Sequence, residues 1–242
     1  MTLSLQQVTG GYGHIPVLKE VSFEVNDNEL VGLIGLNGAG KSTTIKEIMG
    51  LLQPQSGTIT LDGLRLSQDP EKYRKKIGYI PETPVLYEEL TLKEHIEITA
   101  MAYDIPQEIA HERAKKLLAT FRLENRIEWF PANFSKGMKQ KVMILCALLI
   151  EPSLLIVDEP FLGLDPLAIH SLLQLFDEMK ATGVSILMST HVLATAEKHC
   201  DRFVILHEGK VRAQGTLEEL QQAFDLPHAS LDEIYLALTK EA

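Results

Sequence analysis

The stretch that decides the fold is Gly35-Leu36-Asn37-Gly38-Ala39-Gly40-Lys41-Ser42-Thr43. Its spacing, G-x-x-x-x-G-K-[ST], predicts a turn whose backbone N–H groups surround phosphate oxygens, with Lys41 reaching the β/γ oxygens and Ser42 binding Mg²⁺. An apolar run precedes it at 30–34, as in a buried parallel strand, and helical character follows from Thr43 to Leu52. An ordinary glycine-rich turn is the alternative, and this strand-to-helix context makes it the weaker interpretation.

Composition indicates a globular protein without a membrane span. The chain has 242 residues and is 45% hydrophobic, enough for one large domain or two small ones. The longest apolar run, Val142 to Ile150, is far shorter than a transmembrane helix. The residues after Met1 lack the basic and apolar regions of a secretory signal. We therefore expect a cytoplasmic protein.

The charge balance disfavours nucleic acid as a partner. The chain has 23 basic and 33 acidic residues, a formal net charge of −10, whereas binding to a phosphate backbone needs a basic surface. We interpret the local basic run at 74–76 as a solvated helix face. Cys146 and Cys200 are far apart in sequence and outside any CxxC pair, so we expect structural or incidental thiols.

Patterning on both sides of the phosphate loop predicts a mixed α/β fold. Alternation of apolar and polar residues within 1–30, and again at 57–63, predicts a small antiparallel sheet. Helices are expected at 91–103, 108–121 and 136–150, the first with a Thr91/Glu94 capping box. Apolar runs at 154–157, 184–188 and 203–206 then predict further parallel strands, and two short helices are expected within 217–239.

Two carboxylates follow the strand predicted at 154–157. Asp158 and Glu159 lie at its carboxyl end, where open α/β sheets bind ligands. Asp158 is suited to hold Mg²⁺, and Glu159 to accept a proton from the water that attacks the γ-phosphate. An acidic turn is the alternative, but phosphoryl transfer needs these two functions. His191 follows another strand and is expected at the same edge.

The order of these elements resembles the ATP-binding subunit of an ABC transporter over nearly the whole chain. The segment Phe134-Ser135-Lys136-Gly137-Met138-Lys139-Gln140 stands where that family has its signature, and Gly163-Leu164-Asp165 stands where it has its D-loop. The resemblance identifies His191 as the switch histidine, and it implies that Tyr12 stacks on adenine. Without it, Tyr12 would be read as a loop aromatic.

The resemblance also implies an architecture. The expected fold is α/β: a P-loop NTPase (RecA-like) core with an antiparallel β subdomain and an α-helical subdomain at about 88–150. The nucleotide-binding domain would cover 1–215, and 216–242 would be a helical tail. Two copies would pair head to tail around ATP and Mg²⁺. Each nucleotide would then meet the phosphate loop of one copy and, on the other, Ser135, Lys136, Gly137, Met138 and Asp165.

Two positions depart from the family pattern. The usual signature is Leu-Ser-Gly-Gly-Gln, so Lys136 and Met138 replace its first glycine and its glutamine, and Lys136 would either add positive charge near the phosphate or face solvent. Glu82 stands where many relatives have a glutamine that contacts Mg²⁺ or the attacking water. A carboxylate there can still bind Mg²⁺, but it adds negative charge beside the triphosphate.

A narrower resemblance, to the Ecs-type ATPases of Gram-positive bacteria, is carried by residues 80–90 and by 129–132 together with the signature. That branch is related to ABC-2-type exporters and works with a separately encoded multi-span membrane protein. It implies an ATPase attached to the inner face of the cell membrane through that subunit. We hypothesise that residues 84–90, including Leu86 and Tyr87, dock it.

Two other functions stay open on sequence. One is a soluble regulatory ATPase that uses ATP for assembly without transport, and recovery only in soluble complexes would favour it. The other is a small-molecule kinase, which leaves the signature, the D-loop and His191 without an explanation.

Overall fold

The computed structural model describes residues 2–161 and 164–240. In chain order, the strands are β1 (Leu3–Tyr12), β2 (Ile15–Val25), β3 (Leu30–Ile34), β4 (Ser56–Leu61), β5 (Ile77–Ile80), β6 (Leu154–Asp158), β7 (Ser185–Thr190), β8 (Arg202–His207) and β9 (Lys210–Gly215). The helices are α1 (Lys41–Ile48), α2 (Pro70–Lys75), α3 (Leu92–Ala102), α4 (Gln107–Phe121), α5 (Lys136–Leu149), α6 (Pro166–Ala181), α7 (Leu193–His199), α8 (Leu217–Ala223) and α9 (Leu231–Lys240).

The larger sheet has the spatial order β5-β6-β7-β3-β8-β9. The first five of these strands run parallel, and β9 pairs antiparallel with β8. Every residue of β3, β6 and β7 is buried, as expected for parallel strands covered on both faces. The carboxyl ends of β3, β6 and β7 therefore meet at one edge, which positions the loops that follow them.

The antiparallel sheet predicted near the N-terminus is present in the order β2-β1-β4. A hydrophobic cluster joins this sheet to α1 and to one face of the parallel sheet. A second cluster packs α3, α4, α5 and α6 on the opposite face, and a third packs α8 and α9 against α7 and β8. The expected α/β architecture is confirmed.

Most predicted helices lie within two residues of their expected ends. The Thr91/Glu94 capping box is formed at α3, and Ser230 and Glu233 form the same reciprocal bonds before α9. The helix after the phosphate loop ends at Ile48, earlier than the expected Leu52. β5 and β9 are additions to the predicted pattern, because β5 has four residues and β9 is a half-exposed edge strand, and α2 begins earlier in the chain than the basic run interpreted as a helix face.

The basic run at 74–76 lies at the end of α2 and just beyond it. Lys75 pairs with Glu71 and Asp104, and Lys76 pairs with Asp62. Cys146 and Cys200 are free thiols. Among the described residues, no helix combines the length and apolar character needed to cross a membrane.

Candidate active site

The phosphate loop turns from β3 into α1 by means of glycine conformations. Gly38 and Gly40 have φ angles of 85° and 113°, in a region that favours glycine. Gly40 is the N-cap of α1, and no side chain caps the helix there. The first N–H groups of α1 are therefore left for a ligand, and the helix dipole favours an anion at this end.

Lys41 is the buried cation of this loop, with 7% of its surface exposed. Its ammonium donates to the carbonyl oxygen of Gly35 at 2.6 Å. Burial lowers the pKa of Lys41, while the negative charges of Glu159, Asp158 and Glu82 act in the opposite direction. The Lys41 ammonium thus bonds to a backbone carbonyl, and phosphate oxygens could replace that carbonyl and neutralise the positive charge.

Asp158 ends β6 and is buried beside β7. The Ser189 hydroxyl donates a hydrogen bond to its carboxylate. Burial raises the pKa of Asp158, the bond from Ser189 lowers it, and the neighbouring charges of Glu159 and Glu82 raise it further. A bound cation would stabilise the charged form, so this carboxylate fits a metal ligand chemically.

Glu159 and His191, assigned separate roles from sequence, are bonded to each other. The Nδ1 atom of His191 lies 2.7 Å from Oε1 of Glu159, and the Thr190 hydroxyl donates to Oε2 at 3.2 Å. Glu159 has a φ of 47°, and its N–H donates to the Ser189 carbonyl at 3.0 Å. Both carboxylate oxygens are therefore engaged by residues at the end of β7 and just after it.

The remaining metal candidates, Ser42 and Glu82, are both exposed. Glu82 lies near enough to Lys41 and Asp158 for its charge to shift their pKa values. Within 2–161 and 164–240, no group of three or more His, Cys, Asp or Glu side chains could by itself hold a metal ion. This donor set fits Mg²⁺, which usually keeps several waters and takes its other ligands from nucleotide phosphates.

Tyr12 ends β1, with 49% of its surface exposed. Its hydroxyl accepts a hydrogen bond from the Lys46 ammonium at 3.0 Å, and that bond lowers the pKa of Tyr12. The same ammonium lies 5.3 Å from the ring centroid. Tyr12 is thus held by α1 through a cation–π contact as well as a hydrogen bond.

The signature residues form the start of α5. Ser135 is its N-cap and accepts a hydrogen bond from the Met138 N–H at 3.3 Å. Gly137 and Met138 are half-buried, whereas Lys136 is exposed and has no ion-pair partner in the described part of the chain. No hydrogen bond joins these residues to the phosphate loop among the residues described.

Asp165, the D-loop candidate, is the N-cap of α6 and pairs with Lys141 of α5 at 3.2 Å. Gly163 of the same candidate motif lies outside the described residues.

Three polar residues that the sequence interpretation missed are built into this region. Ser189 and Thr190 hold the two carboxylates, and their position directly before His191 was the available signal. Tyr235 of α9 accepts a hydrogen bond from the Leu36 N–H at 3.1 Å. No local pattern links Tyr235 to a loop that lies 199 residues away in sequence.

The fold and the loop between β3 and α1 are those of a P-loop protein, a class that binds nucleoside triphosphates at this loop. The family model described as ABC transporter matches residues 18–162. The chain is 62% identical to the ABC-type transporter ATP-binding protein EcsA of Bacillus subtilis (strain 168), over 99% of this chain and 97% of that one. It is 34% identical to the Nod factor export ATP-binding protein I of Rhizobium meliloti, over 96% and 67% of the two chains.

Solved structures agree with these matches. A structure of the ATP-binding subunit of an ABC transporter is 58% identical, with a TM-score of 0.96 and coverage of 99% of this chain and 100% of that one. A dimeric ATP-binding cassette in a post-hydrolysis state, bound to ADP and Pi, is 28% identical, with a TM-score of 0.80 over 89% and 98% of the two chains. The chain belongs to the ABC transporter family and is one of its ATP-binding ATPases.

Proposed function

We propose that this protein is the ATPase subunit of an exporter-like membrane complex and that two copies pair head to tail around ATP. The observation that supports this most directly is the cluster of Lys41, Asp158, Glu159 and His191 beside the uncapped start of α1. A resident metal, held by Ser42 and Asp158 with a contribution from Glu82, would neutralise phosphate charge when bound. Adenine would stack on Tyr12.

In the proposed reaction, water attacks the γ-phosphorus and the bond to the β–γ bridging oxygen breaks, so that ADP leaves with that oxygen. Glu159 accepts the proton of the water, and Lys41 stabilises charge on the phosphate oxygens. Before nucleotide binds, Nδ1 of His191 lies 2.7 Å from one oxygen of Glu159. His191 then turns to the γ-phosphate, so nucleotide binding exchanges one partner of the histidine for another.

The second copy would supply the start of its α5. Ser135, Lys136, Gly137 and Met138 offer hydroxyl and N–H donors with a positive helix end, and Asp165 lies on the neighbouring helix. Loss of the γ-phosphate removes these contacts, so hydrolysis opens the dimer. In this assembly 1–215 is the nucleotide-binding domain, with its helical subdomain at about 88–150. Residues 216–242 are the tail, whose last two residues lie outside the described part.

The experiment that tests this function is Glu159→Gln. We expect it to retain ATP binding, to lower turnover by about 100-fold or more, and to trap a dimer with ATP in size-exclusion chromatography. Glu208→Gln is a matched control, because Glu208 is an exposed glutamate with a similar φ of 49°. Wild-type turnover in Glu159→Gln would contradict the assignment.

In this proposal, residues 84–90 contact the cytoplasmic face of the membrane subunit. Val85 and Tyr87 are exposed, with 76% and 62% of their surfaces accessible, whereas Leu86 packs partly against the core of the helical region. The Tyr87 N–H donates to Nε2 of the buried His95 at 3.1 Å, which fixes the segment to α3. This supports Tyr87, rather than Leu86, as the side chain that contacts the membrane subunit.

Purification from membranes tests this part of the proposal. Tyr87→Ala should reduce the amount of a multi-span protein that co-purifies, while Ile15→Ala, at a similarly exposed apolar position on β2, should not. Recovery of wild-type protein only in soluble complexes would favour the regulatory ATPase instead.

A further inference from the structure

Helix α9 shares a hydrophobic cluster with the end of the strand that enters the phosphate loop. Its buried residues follow the i, i+3, i+4, i+7 pattern of one apolar helix face. They are Leu231, Ile234, Tyr235 and Leu238. This face lies in one hydrophobic cluster with Ile34, the last residue of β3, and with Phe203 and Ile205 of β8. The tail is therefore part of the support of the loop.

One peptide group of the loop is held from two sides. The N–H of Leu36 donates to the Tyr235 hydroxyl oxygen at 3.1 Å. The carbonyl of Gly35, which belongs to the same planar peptide group, accepts from the Lys41 ammonium at 2.6 Å. The tail and the phosphate-binding lysine thus fix the orientation of this peptide together.

A second contact ties the same helix to the element behind His191. The N–H of Leu231, the first residue of α9, donates to the Glu197 carboxylate of α7 at 2.6 Å. Helix α7 begins two residues after His191. Helix α9 therefore bridges the two parts of the site that face the γ-phosphate in the proposed reaction.

We infer that Tyr235 is a positioning residue of the nucleotide site, which it serves by holding the Gly35–Leu36 peptide in the orientation that shapes the phosphate loop. This inference rests on the proposed nucleotide site. When Lys41 leaves the Gly35 carbonyl for a phosphate oxygen, Tyr235 is the side chain that still holds this peptide. Its contribution therefore matters most in the nucleotide-bound state.

The test is Tyr235→Phe, which keeps the ring packed and removes only the hydroxyl. We expect the Kd for ADP with Mg²⁺ and the KM for ATP to rise about 3- to 10-fold, the effect of one lost hydrogen bond, while kcat changes less than about twofold. ADP titrated into the monomer isolates the effect on the phosphate loop, because the γ-phosphate contacts of a second copy are absent.

Tyr103→Phe is the matched control. Its hydroxyl, like that of Tyr235, forms one hydrogen bond to the backbone, here by donating to the Ile77 carbonyl at 3.3 Å. We expect this control to leave the Kd and the KM unchanged. Equal nucleotide affinities in Tyr235→Phe and wild type, or equal losses in the two Phe variants, would overturn the inference. Failure of wild-type protein to bind either nucleotide would instead overturn the proposed function.

Discussion

Two helix N-termini carry the proposed nucleotide chemistry, and they are built in opposite ways. Helix α1 begins at a glycine with no side-chain cap, and its first residue is the buried Lys41. Helix α5 begins at Ser135, which is exposed and caps its own helix through the Met138 N–H. One start lies beside a lysine, two buried carboxylates and a histidine, and the other offers a hydroxyl, N–H donors, a dipole and the exposed Lys136.

This difference supports the proposal that the phosphate loop alone is half of a site. Both helix ends attract anions, because each presents N–H groups and the positive end of a dipole. The candidate proton acceptor Glu159 and the candidate metal ligand Asp158 lie beside the start of α1 in the same chain. In the proposed dimer, the start of α5 meets a phosphate held by a second copy of the chain, which brings the complementary half.

The largest effect is expected from a substitution at the start of α5. In Gly137→Asp the new carboxylate lies in the first turn of α5, where the dipole stabilises it and a helical glycine is lost, so thermal stability should be unchanged or higher. Repulsion of the γ-phosphate across the dimer should lower ATP turnover by about 100-fold. ADP affinity of the monomer is the internal control, and weaker ADP binding would contradict a role confined to the second copy.

A second comparison concerns buried polar side chains within the two helices. Gln140 of α5 donates from Nε2 to the Pro81 carbonyl at 3.1 Å, and its neutral Oε1 atom has no hydrogen-bond partner among the described residues. Glu47 of α1 is packed against Gly10, and neither of its carboxylate oxygens has a hydrogen-bond partner among the described residues. Burial raises the pKa of Glu47 to about 7. Helix α1 therefore contains a buried carboxyl group with no hydrogen-bond partner for its charged form among the described residues.

This pKa shift predicts a pH dependence of stability. The folded pKa is above the unfolded one, so the stabilisation is complete below about pH 4.5 and is lost as pH rises through about 7. Glu47→Gln should be more stable than wild type at pH 8 by about 1–3 kcal/mol and nearly equal to it at pH 4.5. Urea unfolding at both pH values measures this, with the exposed Glu218→Gln as control. Parallel pH profiles for wild type and Glu47→Gln would contradict the assignment.

The smallest effect concerns the departure at Glu82. This exposed carboxylate raises the negative charge around Lys41 and Asp158. Glu82→Gln should therefore raise the Mg²⁺ concentration needed for half-maximal ATP hydrolysis by only about two- to fivefold, because solvent screens an exposed charge. Turnover at saturating Mg²⁺ shows whether Glu82 also acts in the chemical step, apart from metal binding. A complete loss of activity there would place the residue among the catalytic groups.

Local motifs explain what the sequence could predict. The phosphate loop, the Thr91/Glu94 box and the start of α5 each depend on a few neighbouring residues, and each forms where expected. The start of helix α2 has such a signal too, because Asp69 is its N-cap and Pro70 its first residue, although from sequence only the basic run at its end is interpreted as helical.

The rest of the site depends on residues that are distant in sequence. The bond between Glu159 and His191 spans 32 positions, and it forms because β6 and β7 are paired neighbours. Tyr235 reaches Leu36 because α9 shares a hydrophobic cluster with the end of β3. Pairing of strands and docking of a helix leave no fixed spacing in the sequence, so these contacts required the structure.

The central claim is that each nucleotide site is completed by a second copy of the chain. Mixing Lys41→Ala with Gly137→Asp tests it directly, because each variant alone has one half of every site disabled. A head-to-tail mixed dimer contains one site with both halves intact, so an equimolar mixture should recover roughly a quarter of wild-type ATP turnover. Activity that stays at the mean of the two separate variants, despite confirmed subunit exchange, would contradict the account.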